Sequence, residues 1–149
     1  MELKFSVSAR IAKPVHTVFE AVADPQQLSG YFTTGGAKGR LETGATVTWD
    51  FADFPGAFPV EVVEVERDSH IKLRWGTPEK GNARTEVLME FKPLDEGART
   101  LVTITESGWP ETEAGLKASY GNCMGWSQML CAMKAYVERG INLREGMYK

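Results

Sequence analysis

The chain has 149 residues, of which 42% are hydrophobic and 25% charged, and its formal net charge at pH 7 is −3. This length and composition are typical of one folded domain, so we expect residues 1–149 to form a single domain. The mild negative charge argues against nucleic acid and an anionic membrane as partners. Because the sequence has neither a signal-peptide core nor a membrane-length apolar run, the expected location is the cytoplasm.

The first part of the chain predicts a strand followed by a short helix. Apolar and polar residues alternate over residues 2–10, as in a half-buried strand. Pro14 suits the first turn of a helix, and apolar residues then recur at helical spacing as far as Ala23. Asp24-Pro25 ends that helix, residues 25–31 predict one more turn, and a glycine-rich loop follows.

Residues 38–107 carry nearly all of the remaining strand signal, with turn sequences every 8–12 residues. The predicted strands are 45–51, 59–66, 70–76, 84–93 and 99–107. Two of the predicted turns cover residues 54–56 and 78–82. The alternation slips at Val62-Val63, which indicates a β-bulge.

Alternation within the strands assigns every second side chain to one face of the sheet. The residues of this inner face are Val47, Trp49, Phe51, Ile71, Leu73, Trp75, Val87, Met89, Phe91, Val102, Ile104 and Glu106. Glu106 is the charged member of this set and lies near the end of its strand. Its carboxylate could bind a ligand or act as an acid or base; the alternative is a solvated position at the rim, or an ion pair with an arginine.

A second helical pattern runs from about residue 111 to residue 139. The apolar side of this helix comprises Leu116, Tyr120, Cys123, Met124, Trp126, Leu130, Cys131, Met133 and Val137. Ser127 lies in the middle of that side, where its hydroxyl either faces a ligand together with Tyr120 or bonds to the carbonyl four residues earlier. Gly121 and Gly125 weaken helix propensity, so we expect a packing or bending reason for them.

The sequence contains no nucleophile elbow, no phosphate-binding loop and no metal-binding spacing of histidines and cysteines. Cys123 and Cys131 would lie about 12 Å apart along the helix axis, so they cannot form a disulfide with each other. We expect both to be buried free thiols. The sequence therefore predicts no catalytic residue, no metal and no cofactor.

The order of the elements predicts an antiparallel sheet covered by one long helix, a packing that can leave a cavity between the two layers. The predicted ligand-binding residues of that cavity are Trp49, Phe51, Trp75, Met89, Glu106, Tyr120, Met124 and Ser127. Plain core packing is the alternative for each of the apolar side chains among them.

Several segments, in the same order along the chain, carry a resemblance to one superfamily. They are residues 12–25 (AKPVHTVFEAVADP), Tyr31-Phe32, Leu73-Arg74-Trp75, residues 100–109 (TLVTITESGW) and Gly125-Trp126. The chain resembles the SRPBCC superfamily of START and polyketide-cyclase-like proteins, and within it the branch named after the activator of heat-shock-protein ATPase. The resemblance implies an α+β helix-grip (START/Bet v-like) fold. In that fold a seven-stranded antiparallel sheet wraps around a long C-terminal helix, two short helices follow the first strand, and a hydrophobic cavity is present.

Three functions are compatible with this fold, because one scaffold hosts many activities. The first is binding of a hydrophobic or aromatic small molecule, as a carrier or sensor. The second is an enzyme of cyclase or hydrolase type that uses Glu106 with Tyr120 or Ser127. The third is a chaperone-interacting stress-response domain. A homodimer is also compatible with the sequence, and residues 141–149 could extend from the domain towards a partner.

Overall fold

The computed structural model describes residues 1–77 and 81–149. A turn was predicted over residues 78–82, and residues 78–80 of it lie outside the described part of the chain. In the described part of the chain the strands are β1 (Lys4–Ile11), β2 (Gly36–Lys38), β3 (Thr46–Phe51), β4 (Phe54–Glu66), β5 (His70–Trp75), β6 (Thr85–Leu94) and β7 (Arg99–Ser107). The α-helices there are α1 (Val15–Ala23), α2 (Pro25–Leu28) and α3 (Glu113–Arg139), and a 3₁₀ turn covers Asp95–Gly97.

The strands form one antiparallel sheet in the order β1-β7-β6-β5-β4-β3-β2. Strands β2 to β7 are therefore a meander of neighbours in sequence, and β1 joins the meander at the free edge of β7. The register between β4 and β5 passes from Val62 opposite Leu73 to Glu64 opposite Lys72. Val63 is thus the extra residue of a bulge, and the predicted bulge is confirmed.

The structure differs from the predicted strands in two places. Strand β2 was missed, because three residues are too few to show an alternating pattern. Strand β4 begins at Phe54, whereas a turn was predicted over residues 54–56. Phe51 pairs with Phe54 across a tight two-residue turn, so Pro55 and Gly56 lie within the hairpin arm.

The hydrophobic core lies between the inner face of the sheet and the three helices. The predicted inner face is confirmed: its members are buried, apart from Phe51 and Trp75, which are half-buried. Helix α1 contributes Val18, Phe19, Ala21, Val22 and Ala23, and helix α3 contributes Trp126, Met129, Leu130, Ala132 and Met133. The long helix thus covers the sheet as the helix-grip fold requires.

Helix α3 is a single unbroken helix, as predicted. The hydroxyl oxygen of Thr112 accepts a hydrogen bond from the Gly115 N–H at 3.0 Å, so the helix begins at Glu113 with a side-chain cap. Gly140 ends it in the left-handed conformation. None of the helices in residues 1–77 and 81–149 is both long enough and apolar enough to cross a membrane.

The C-terminal tail, residues 141–149, folds back onto the β3–β4 hairpin. The Arg144 guanidinium donates two hydrogen bonds of 3.0 Å to the Asp53 carboxylate, and both side chains are about nine-tenths buried. The same guanidinium lies 4.6 Å from the centre of the Phe51 ring. The expectation that the tail extends from the domain was therefore wrong, because a cation and an aromatic surface hold it in place.

Candidate functional site

An aromatic cluster fills the middle of the space between the sheet and α3. The ring of Trp126 lies 5.3 Å from both Phe32 and Trp75, and Phe32 lies 5.6 Å from Trp49, measured between ring centres. These distances are those of packed aromatic pairs. Rings therefore occupy the place where the sequence predicted a central cavity.

A pocket of about 590 Å³ lies beside the first half of α3. Its side chains come from the β3–β4 hairpin, the ends of β5 and β6, the segment after β7, and α3. They include Phe58, Trp75, Thr85, Trp109, Ala118 and Asn122. This volume is within the range of small-molecule sites. Aromatic rings from three segments and several polar side chains thus converge on one space.

The Glu106 carboxylate is completely buried beneath this pocket. The Trp75 Nε1–H donates to Oε2 at 2.9 Å, and the Trp126 Nε1–H donates to Oε1 at 2.7 Å. The Asn122 Nδ2 lies 3.1 and 3.2 Å from the two oxygens, and the Thr85 hydroxyl also donates to Oε2. Because Trp75, Thr85 and Asn122 also line the pocket, the carboxylate lies one side chain below its surface.

Strand register explains why these side chains meet. Trp75 at the end of β5 lies opposite Thr85 at the start of β6, and Val87 lies opposite Glu106 near the end of β7. All of these residues face inward, because they share the parity of the buried positions. Asn122 and Trp126, four residues apart on α3, project from the same side of the helix onto this edge of the sheet.

The hydrogen-bond partners of Glu106 suit an ionised carboxylate. An indole N–H can only donate, and an amide facing a carboxylate must present its NH₂ group. Among the described residues no lysine or arginine forms an ion pair with Glu106. Four uncharged donors therefore replace the water that burial removes. The alternative of a solvated or arginine-paired rim position was wrong.

The predicted site residues on the sheet separate into three environments. Trp75 lines the observed pocket, and Glu106 lies directly beneath it. Trp49 and Met89 are fully buried in the core. Phe51 is half-buried and packs under the Arg144 guanidinium. Of these five residues, Trp75 therefore lines the pocket and Glu106 supports it from below.

Two predicted site residues on α3 point away from the sheet. Tyr120 is 66% exposed and Met124 is 55% exposed. Trp126 and Met133 of the predicted apolar side are buried, but Ser119 is buried as well, so the predicted side was rotated from the real one. Their expected place in a cavity between helix and sheet was wrong for this reason.

Ser127 and the cysteines lie at or beyond the border of that buried side. The Ser127 hydroxyl donates to the Cys123 carbonyl oxygen at 2.8 Å, which was the alternative weighed for it. Cys123 is half-buried and Cys131 is exposed, and both are free thiols. The prediction of buried thiols was therefore wrong for Cys131, for the same rotational reason as for Tyr120.

Sequence reasoning missed Thr85, Trp109 and Asn122. Asn122 lies on the buried side of α3. A polar residue in a helix is normally predicted to face solvent unless the rotation of that helix about its axis is known. Trp109 follows β7 and stacks on Phe5 of β1, with ring centres 5.6 Å apart. An inward-facing glutamate is itself the signal that could have found them, because it requires buried donors nearby.

The seven-stranded antiparallel sheet and long C-terminal helix define the helix-grip class of proteins. Residues 12–138 match the family described as activator of Hsp90 ATPase homolog 1-like protein, and the chain belongs to this family. The predicted resemblance and fold are thereby confirmed. No significant match was found among curated proteins.

Solved structures share this fold over most of the chain. Protein SSP2350 from Staphylococcus saprophyticus is 26% identical, with 95% of this chain and 96% of that chain covered and a TM-score of 0.78. The Aha1 dimer from Colwellia psychrerythraea is 18% identical, with 92% and 97% covered and a TM-score of 0.72. DynU16, a protein in the dynemicin biosynthetic locus, is 24% identical, with 92% and 48% covered and a TM-score of 0.75. The last two similarities concern the fold alone.

Proposed function

We propose that the protein binds a small molecule with an aromatic or aliphatic body in the pocket beside α3, as a carrier or sensor. One observation carries this proposal: a pocket of about 590 Å³ combines aromatic walls with polar side chains fixed by a buried carboxylate. Trp75, Thr85 and Asn122 cannot move freely while they bind Glu106, so their positions are set before a ligand arrives. Such preorganisation favours binding.

The chemistry of the lining favours binding over catalysis. Among the described lining residues none carries a titratable side chain, so none can serve as a general acid or base. Glu106 is enclosed by its four donors and has no surface of its own in the pocket. The alternative enzyme, which required Glu106 beside Tyr120 or Ser127, has less support because Tyr120 is exposed on α3 and Ser127 bonds to its own helix.

The proposal is tested by native mass spectrometry and thermal unfolding. The protein purified from cells is first examined for a co-purifying molecule, and a panel of lipids, aromatics and polyketides is then screened. A ligand at 100 times its dissociation constant stabilises the folded state by about 2.7 kcal/mol, which raises the melting temperature by roughly 5–10 °C. If no compound co-purifies and none in the panel shifts unfolding, the proposal is wrong.

A matched pair of variants locates the binding. Ala118 lines the pocket from an exposed position on α3, so Ala118→Phe should fill the pocket without disturbing the core. Lys117→Phe adds the same ring one position earlier, at an exposed residue outside the described lining. Ligand-induced stabilisation should vanish in the first variant and persist in the second. Equal loss in both would place the ligand elsewhere.

A further inference from the structure

Two lining side chains that bind Glu106, Thr85 and Asn122, present hydrogen-bond acceptors to the pocket, because Glu106 uses their donors. The Thr85 hydroxyl has one hydrogen, which it donates to Glu106, so that its oxygen can only accept from the pocket side. The Asn122 NH₂ group also faces the carboxylate. Its Oδ1 has no partner among the described residues and is not buried, and Asn122 lines the pocket. A ligand that hydrogen-bonds to Thr85 or Asn122 must therefore act as the donor.

The carboxylate beneath the pocket is negative, and the acceptor oxygens above it carry partial negative charge. The donors around Glu106 suit a carboxylate, and no lysine or arginine pairs with it in residues 1–77 and 81–149. A buried charge is screened less than an exposed one, so its field acts on the adjacent pocket. The walls nearby include Phe58, Trp75 and Trp109, whose rings attract cations.

The helix N-terminus beside the pocket does not reverse this preference. Thr112 already accepts from the Gly115 N–H, which satisfies one of the free amides of the first turn of α3. Glu113 adds a negative charge in the same turn. An anionic ligand would therefore find one of the first-turn donors already used, and an acidic side chain in the same turn.

We infer that the pocket selects molecules that carry a protonated primary or secondary amine on an aromatic or aliphatic body. The ammonium N–H groups donate to Thr85 Oγ1 and Asn122 Oδ1, the positive charge is attracted by Glu106, and the body packs on the aromatic walls. This inference rests on the proposed function, because it names the class of ligand for the same pocket.

Three soluble probes of nearly the same shape test the inference. At pH 7, 2-phenylethylamine is positive, 2-phenylethanol is neutral and phenylacetate is negative. Their affinities are measured from the indole N–H signals of the four tryptophans, since those of Trp75 and Trp126 report directly on Glu106. We expect the amine to bind about tenfold more tightly than the alcohol, and phenylacetate to bind most weakly.

Two variants attribute the preference to the buried carboxylate. Glu106→Gln should reduce the ratio of amine to alcohol affinity to about twofold or less, whereas Glu113→Gln, which removes an exposed carboxylate of α3, should keep it. If Glu106→Gln does not fold, Asn122→Ala removes the free acceptor and should lower the same ratio. Equal ratios in the wild type, Glu106→Gln and Asn122→Ala would contradict the inference.

The wild-type protein also separates the failure of this inference from failure of the proposed function. If 2-phenylethanol or phenylacetate binds as tightly as the amine, the inference is wrong and the proposed function stands. The same holds if only uncharged members of the wider panel bind. If no compound of any charge binds, both are wrong.

Discussion

At the scale of the residue, Glu106 is the feature that organises the site. Burying a carboxylate is unfavourable unless hydrogen bonds replace its water, and here four side chains supply them. If one donor is removed, part of the free-energy cost of taking the carboxylate out of water is no longer offset. The stability of the domain and the shape of its pocket are therefore coupled through a single side chain.

Trp126 allows this coupling to be measured. Trp126→Phe keeps an aromatic ring in the core but removes the Nε1–H that donates to Glu106 at 2.7 Å. We expect a loss of about 1–3 kcal/mol, the usual range when a buried acceptor loses its donor. Trp126→Ala should cost more, about 3–5 kcal/mol, because a cavity is added. Urea unfolding of both variants checks these values, and a Phe variant as stable as the wild type would contradict the role of the hydrogen bond.

The sequence predicted the inward direction of Glu106 but not its partners. Alternation in β7 requires only local information, and it placed Val102, Ile104 and Glu106 on the buried face. The partners come from β5, β6 and α3, so identifying them requires the register of three strands and the rotation of a helix. Those quantities depend on tertiary packing, which no local pattern contains.

At the scale of the element, the bounds of α3 were predicted correctly, but the side of the helix that faces the sheet was not. Its large apolar residues surround much of the helix, so the apolar side has no sharp centre. Tyr120 and Met124 were assigned to the side that faces the sheet, whereas the smaller Gly115 and Ser119 are the buried residues in this part of the helix. A helical pattern built from large apolar residues alone gives no weight to such small buried positions.

Replacing two glycines of α3 with alanine should change the stability of the protein in opposite directions. A Cβ at Gly121 would have nothing within 4 Å, so the expected packing reason for this residue is absent from the described structure. Gly121→Ala should stabilise the protein by about 0.5–1 kcal/mol through helix propensity. A Cβ at Gly115 would lie 2.0 Å from the Pro110 carbonyl oxygen, so Gly115→Ala should destabilise it. Thermal unfolding checks both, and the same sign for both variants would contradict this account.

At the scale of the whole molecule, the last turn of α3 is fixed to the end of β1. The Glu138 carboxylate accepts from the Ala12 N–H at 2.8 Å and from Lys134 Nζ at 2.6 Å. Lys134 Nζ also donates to the Arg10 carbonyl oxygen at 2.8 Å. The backbone hydrogen bond and then the lysine hold the pKa of Glu138 below its ordinary value. One carboxylate thus joins the covering helix to the edge of the sheet.

This contact predicts a pH dependence of stability. Because the pKa of Glu138 is lowered in the folded state, its stabilising effect is complete above the unfolded pKa and is lost as pH falls through the folded pKa. Glu138→Gln should lose about 0.5–1.5 kcal/mol at pH 7 and resemble the wild type near pH 3. Urea unfolding at the two pH values measures the difference. A difference that is unchanged at low pH would show that the charge is not involved.

Most of the overall fold was accessible from sequence, for a physical reason. Six of the strands and the long helix are long enough to show a periodic pattern of apolar residues. The resemblance to a known family also implied the fold. Strand β2 and the folded tail were not accessible, because each depends on a few contacts with distant residues, such as that of Arg144 with Asp53. The pocket belongs to the same category.

The order of strands in the sheet has a consequence for how the chain folds during synthesis on the ribosome. Strands β2 to β7 can pair one after another as they emerge, but β1 must wait for β7, because Lys4 pairs with Ser107 about 100 positions later. The part of the apolar inner face that α3 covers then stays exposed until α3 has been translated. A pause in translation between β7 and α3 would therefore prolong the exposure of an aggregation-prone hydrophobic surface. The nascent chain would depend on chaperones for as long as the pause lasts.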